Sequence, residues 1–166
     1  DVFGIMLPLD SAAGDWADHN YDAQPAKTPF IFSQHLGNAA DYSPEACQKL
    51  FRLVSHQAGQ WDMHNIKIAI EDITPSLRES DPYGTFTVTL RQLADNDTRP
   101  QVIERFSNVN LNPGSPDFIG ARIGTQFKQY DSNKLRTRTY GVYPNRSQYV
   151  YVELDPALEE GGLEPS

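Results

Sequence analysis

Ile66, Ile68 and Ile70 alternate with Lys67, Ala69 and Glu71, and Phe86, Val88 and Leu90 alternate with Thr85, Thr87 and Thr89. A period of two puts one apolar row on one face of an extended chain, so both segments predict half-buried strands. The Thr and Val content of the second suits a pleated surface. Pro75 and Pro82 break the pattern between them, and ADNDTRP after them is a turn cluster, because Asn and Asp bond nearby backbone and tolerate left-handed conformations. Gln101 to Val109 predicts a third strand with less regular alternation, and consecutive antiparallel pairing is the simplest topology for the three. Tyr149 to Leu154 predicts a last strand, apolar or aromatic on both faces, so neither face meets bulk water.

Two helices are expected beside these strands. Ser43 suits an N-cap, Pro44 the first helical position and Glu45 the positive end of the helix dipole. Cys47, Leu50, Phe51 and Val54 then recur at i, i+3, i+4 and i+7, making one apolar face that closes at His56 and Gly59. Ser115-Pro116-Asp117 repeats this cap pattern after the loop NLNPGSP, with Phe118, Ile119 and Ile123 as apolar contacts. Gly120 and Gly124, each costing about 1 kcal/mol against Ala, keep the second helix short.

The expected fold class is therefore α+β: a mainly antiparallel sheet of three to five strands with two short Ser-Pro-capped helices packed on it. Residues 1–42 read as an irregular, extended lead segment with one or two short strands, at Val2 to Leu9 and Phe30 to Phe32, around a long loop. Residues 43–154 read as the core section, and 155–166 as an acidic tail leading to a further C-terminal part. The chain starts without Met and stops at LEPS, so it reads as a piece of something longer.

At 166 residues the chain fits one domain. No run of about 18 apolar residues is present to form a transmembrane helix. DVFGIMLPLD opens with an acid and is broken by Pro8, unlike a signal peptide. A net charge of −8 argues against non-specific nucleic-acid binding, which needs a basic footprint. The charge is uneven, however. Arg122, Lys128, Lys134, Arg136, Arg138 and Arg146 are opposed only by Asp131, and Glu153, Asp155, Glu159, Glu160 and Glu164 then follow. Such runs are usually solvated faces, and the sharper reading is complementarity between copies of the chain.

Candidates for chemistry are sparse. His19, His35, His56 and His64 show no ligand spacing, and with Cys47 as the only cysteine neither a zinc knuckle nor an intrachain disulfide is expected. On an apolar stripe, Cys47 reads as a small buried hydrophobe. Glu71-Asp72 sits at a strand end, but a two-carboxylate mechanism needs a defined separation in a cleft. A hydrolase built on Asp62, His64 and Glu71 is the least favoured reading. No GxSxG elbow, GxxxxGK[ST] loop or GxGxxG turn is present, so no catalytic, cofactor or metal site is expected. Tyr130, Tyr140, Tyr143, Tyr149 and Tyr151 interleave with the basic stretch. Arg with Tyr can stack single-stranded nucleic acid, but in an acidic chain a protein interface is the better reading.

Three stretches carry a family resemblance: QAGQWDMHNIKIAI at 57–70, YGTFTVTL with VIERFSNVNLNPGSPDFIGARIG at 83–124, and YGVYPNRSQYVYVEL at 140–154. In this order they resemble the contractile tail sheath proteins of myophages, over roughly residues 50–154. Asn112, Phe118 and Asp62 stand where that family commonly has Asp, Tyr and Gly. The resemblance implies an internal section of a structural, non-enzymatic virion subunit, assembled in the host cytoplasm. Its partners would be other copies in helically stacked six-fold rings, the tail tube protein, and the baseplate and tail terminator proteins. Nucleic acid, direct membrane insertion and cofactors have no part in that role. Contraction would drive the tube through the host envelope during genome ejection. On this reading Arg122, Lys128, Arg136 and Arg138, set against Glu153, Asp155, Glu159 and Glu160, are the candidate subunit-interface residues. The alternative is a β-rich receptor- or glycan-binding module on a virion, using the aromatic cluster from Tyr140 to Tyr151.

Overall fold

The computed structural model describes residues 24–33, 38, 40, 42–43, 45, 47–59, 61–76, 83–131 and 133–160. The expected strand from Val2 to Leu9 lies outside them. The elements are β1 (Pro25–Lys27), β2 (Ile31–Phe32), β3 (Lys49–Ala58), α1 (Trp61–Asn65), β4 (Ile66–Thr74), β5 (Thr85–Gln92), β6 (Val102–Val109), α2 (Ile119–Ile123), β7 (Phe127–Asp131), β8 (Arg136–Tyr140), β9 (Val150–Leu154) and α3 (Pro156–Glu159). Antiparallel sheet with short helices makes the fold α+β, as the alternating segments imply.

The period-two segments pair as expected, in the order β4-β5-β6. Ile68 faces Leu90 and Ile70 faces Val88, while Val88 faces Phe106 on the other side. Val88 and Leu90 are fully buried, but so is Thr89, and Thr87 nearly so. The central strand is thus covered on both faces. Thr89 lies between Ala69 and Arg105 and Thr87 opposite Glu71, so long side chains of the flanking strands roof the threonine row.

The helix expected from Ser43 to Gly59 is not formed; Lys49–Ala58 is instead a ten-residue strand. β3 is the centre of a second antiparallel sheet. On one edge Lys27 faces Val54 and Ile31 faces Phe51; on the other, Phe51 faces Leu154 and Ser55 faces Val150. Phe51, Leu53, Val54 and Ser55 are all buried. A strand covered on both faces carries a near-continuous apolar run, and LFRLV happens to fit a helical period as well. What decides the outcome is distant: the backbone partners at 25–32 and 150–154. Cys47 lies before the strand, half-buried, with its Sγ 3.5 Å from the Ser43 carbonyl oxygen.

The second expected helix exists as α2, five residues long, but without its Ser-Pro cap. Phe118 occupies the N-cap position and no side chain caps it. The Ser115 hydroxyl instead accepts from the Asn110 side-chain amide at 3.0 Å and the Asp117 N–H at 3.2 Å, bracing the NLNPGSP loop. α2 ends at Gly124, whose φ of 114° only glycine adopts comfortably and where a Cβ would collide with the Asn145 backbone.

One core joins both sheets. Phe51, Leu53, Val150, Val152 and Leu154 meet Val88, Leu90 and Val109, with Phe118, Ile119, Ile123 and Leu158 between and beside them. The Phe51 and Phe86 rings stack at 5.9 Å. Pairing of β1 and β2 with β3 spans the expected boundary at residue 42. Burial of Leu158 likewise spans the one at 154. A charge cluster pins the β5–β6 turn: Arg91 grips Asp95 through two bonds of 2.8 and 2.9 Å and reaches Asp97 at 2.9 Å, while Lys67 and the Gln101 N–H also bond Asp95. The Arg91 hydrogen bonds, with those from Lys67 and Gln101, hold the Asp95 carboxyl far below the usual carboxylate range against the opposing effect of burial.

Candidate assembly surface

The basic stretch is a β-hairpin. Among the described residues β7 and β8 pair only with each other, Phe127 facing Tyr140 and Asp131 facing Arg136. Residues 128–130, 133–137 and 139–140 are exposed. A two-stranded hairpin is marginal alone in water, so its base must be anchored. Aromatic stacking supplies the anchor. Phe127 stacks on Tyr140 and on Tyr151 of β9, each at 5.5 Å, and Tyr151 stacks on His56 of β3 at 5.6 Å. Burial, and secondarily the charge of Glu153, pushes the Tyr151 hydroxyl pKa up.

The charged interface candidates divide into two groups. Arg122 lies 3.6 Å from Asp117 and donates to the Ser107 carbonyl oxygen at 3.4 Å. Arg138 lies 3.7 Å from Asp131 across the hairpin. Glu153 accepts two bonds from Arg52, at 2.8 and 2.5 Å, and Arg52 also covers the Phe30 ring. Asp155 caps α3 by accepting from the Ala157 N–H at 3.1 Å. Lys128, Arg136, Glu159 and Glu160 make no ion pair among the described residues and stand exposed. Those four are left available to another molecule.

The tyrosines divide in the same way. Tyr143 meets the Phe118 ring edge at 5.8 Å, and Tyr149 stacks on Trp61 at 6.5 Å. Tyr130, 60% exposed, is the one left outermost. Between the hairpin base and the outer side of the β3–β9 pair lies an open cleft of about 680 Å³, lined by Pro25, His56, Lys128, Gln129, Gln148 and Tyr151 among others. Its far wall is held by Glu104, which accepts from the Ser147 hydroxyl at 2.5 Å and the Gln148 N–H at 2.9 Å.

The residues of the hydrolase reading are held by separate partners. Asp62 accepts from Ser55 of β3, Glu71 from Thr89 with Arg91 4.0 Å away, and His64 is exposed at the end of α1. Among the described residues no group of three or more His, Cys, Asp or Glu is placed to hold a metal ion. The hairpin itself is hidden in the basic stretch of the sequence. Its available signal is the turn cluster Asp131-Ser132-Asn133 between FKQY and the Thr-alternating RTRTY. Compared with known proteins, the chain matches no family model, no curated protein and no solved structure.

Proposed function

We propose that this chain is a section of a phage contractile tail sheath subunit, a structural virion protein that polymerises in helically stacked six-fold rings around the tail tube. The observation that carries the reading is where the three sheath-like stretches go. Their apolar residues, from Ile66 through Val88, Val109 and Ile119 to Val152, belong to or pack against one core, while the hairpin outside that core holds cations without ion-pair partners among the described residues. A rigid body with an exchangeable charged surface suits an array that contracts by rearranging subunits. The work then comes from the change in packing, with the baseplate triggering it and the tube carrying it through the host envelope.

Lys128 and Arg136 against Glu159 and Glu160 of a neighbouring copy are the interface pairs this reading favours. Electron microscopy of the full-length protein tests it: tubes or stacked rings are expected, and a protein that stays monomeric at all concentrations refutes it. One observation favours the receptor- or glycan-binding reading instead, namely the aromatic row Tyr140, Phe127, Tyr151 and His56 beside an open cleft. Specific retention on a glycan array, abolished by Tyr151→Ala, would select that alternative.

A further inference from the structure

We propose that Leu135, at the tip of the β7–β8 hairpin, is an anchor that inserts into a second copy of this chain. The inference rests on the polymerising role above and names the contact that would hold the arm. Leu135 has φ 48°, the left-handed region where a Leu side chain crowds its own backbone and where Gly or Asn sits more easily. It is also 77% exposed and is absent from the side chains packed against the core. One residue thus carries two penalties, backbone strain and exposed apolar surface, and nothing among the described residues offsets either.

The tip around Leu135 indicates what covers it. Asp131, the only carboxylate of the hairpin, is turned to its own chain: it accepts from the Asn133 and Lys134 N–H groups and lies near Arg138. Lys128, Lys134 and Arg136 are left facing outward with the aromatic Tyr130 at 60% exposure. The chain as a whole has 22 acids against 14 Lys and Arg, so the surface that complements this arm is the rest of another copy. Tyr and Arg around an apolar tip are also the residue types that concentrate binding energy at interfaces.

Leu135→Asn in the full-length protein separates the anchor from any structural role, because Asn accepts the left-handed backbone. Thermal unfolding of the unassembled protein should be unchanged or shifted upward, while sedimentation velocity should show assembly requiring at least a tenfold higher concentration. Leu135→Ala, which keeps the strain but removes the apolar tip, should weaken assembly similarly. A benzophenone side chain placed at position 135 should photo-crosslink to a second copy in assembled material. Leu135→Asn assembling at the wild-type concentration, or no self-crosslink from position 135, overturns the anchor and leaves the sheath reading standing. A lowered unfolding temperature for Leu135→Asn also overturns it, by showing that Leu135 serves its own chain. Wild-type protein that never assembles overturns both.

Discussion

Leu158 offers the most direct test of whether the acidic tail belongs to the core. The side chain is fully buried, although it sits on a four-residue helix and is followed in sequence by Glu159 and Glu160. Leu158→Ala removes about three carbons from an apolar site, roughly 2–2.5 kcal/mol of transfer free energy at about 0.8 kcal/mol per methylene. A residual cavity adds to this, within the overall range of about 2–5 kcal/mol for such truncations. One wall of the site is a single helical turn, tied down by the Asp155 cap and the Asp155 N–H to Leu50 carbonyl bond of 2.9 Å. That wall can partly close the void, so we expect a loss of about 3 kcal/mol. With a urea m-value of about 2 kcal/mol/M, the midpoint should fall by roughly 1.5 M at unchanged m. Glu159→Ala, one residue on and exposed, should move stability by no more than about 0.5 kcal/mol. A Leu158→Ala loss below about 1 kcal/mol would refute the placement of this segment in the core.

Three further outcomes follow from the geometry. Gly59→Ala, with φ 125° but open space around its Cβ, should cost about 1–3 kcal/mol of backbone strain in chemical denaturation, and Gly124→Ala, which adds a collision against Asn145 to a φ of 114°, should cost more. Lys128→Glu with Arg136→Glu should leave the unfolding midpoint of the unassembled protein unchanged but weaken salt-sensitive self-association in light scattering; unchanged association would remove these cations from the interface. The Asp95 carboxyl is depressed in the folded protein, so below about pH 4 the unfolded chain binds more protons. Its stabilisation is complete above the ordinary carboxylate pKa and is lost as pH falls, and Asp95→Asn should flatten that acid slope in stability measurements.

The parts legible in the sequence are those whose environment is set locally. Ile66 to Ile70 and Phe86 to Leu90 are consecutive strands that pair with each other, and their alternation marks the row that joins the apolar core, though not the burial of the threonine row on the other face of β5. β3 is not legible as a strand because its partners lie far off in the chain, and the covering of both its faces erases the period that would mark it. The Ser-Pro pair before α2 carries a cap signature, yet Asn110 claims the Ser115 hydroxyl for the loop, and only the folded loop brings those two together. At the candidate surface, the sequence marks the charges but not their engagement. Arg52 meets Glu153 only through the β3–β9 register, and that register determines that Glu153 is engaged within the chain while Lys128 is not.

The β3–β9 pairing also sets a clock on biosynthesis. Arg52 and Glu153 are 101 residues apart, so at about 5–20 residues per second a ribosome needs roughly 5–20 s to deliver the partner strand. During that interval β1 and β2 can cover one edge of β3, while the other edge of an apolar strand stays open to pairing with any neighbouring nascent chain. If many copies enter one assembly, as the sheath proposal requires, that open edge is the point at which holding by a chaperone, or slow translation through residues 59–149, would most affect the yield of usable subunits.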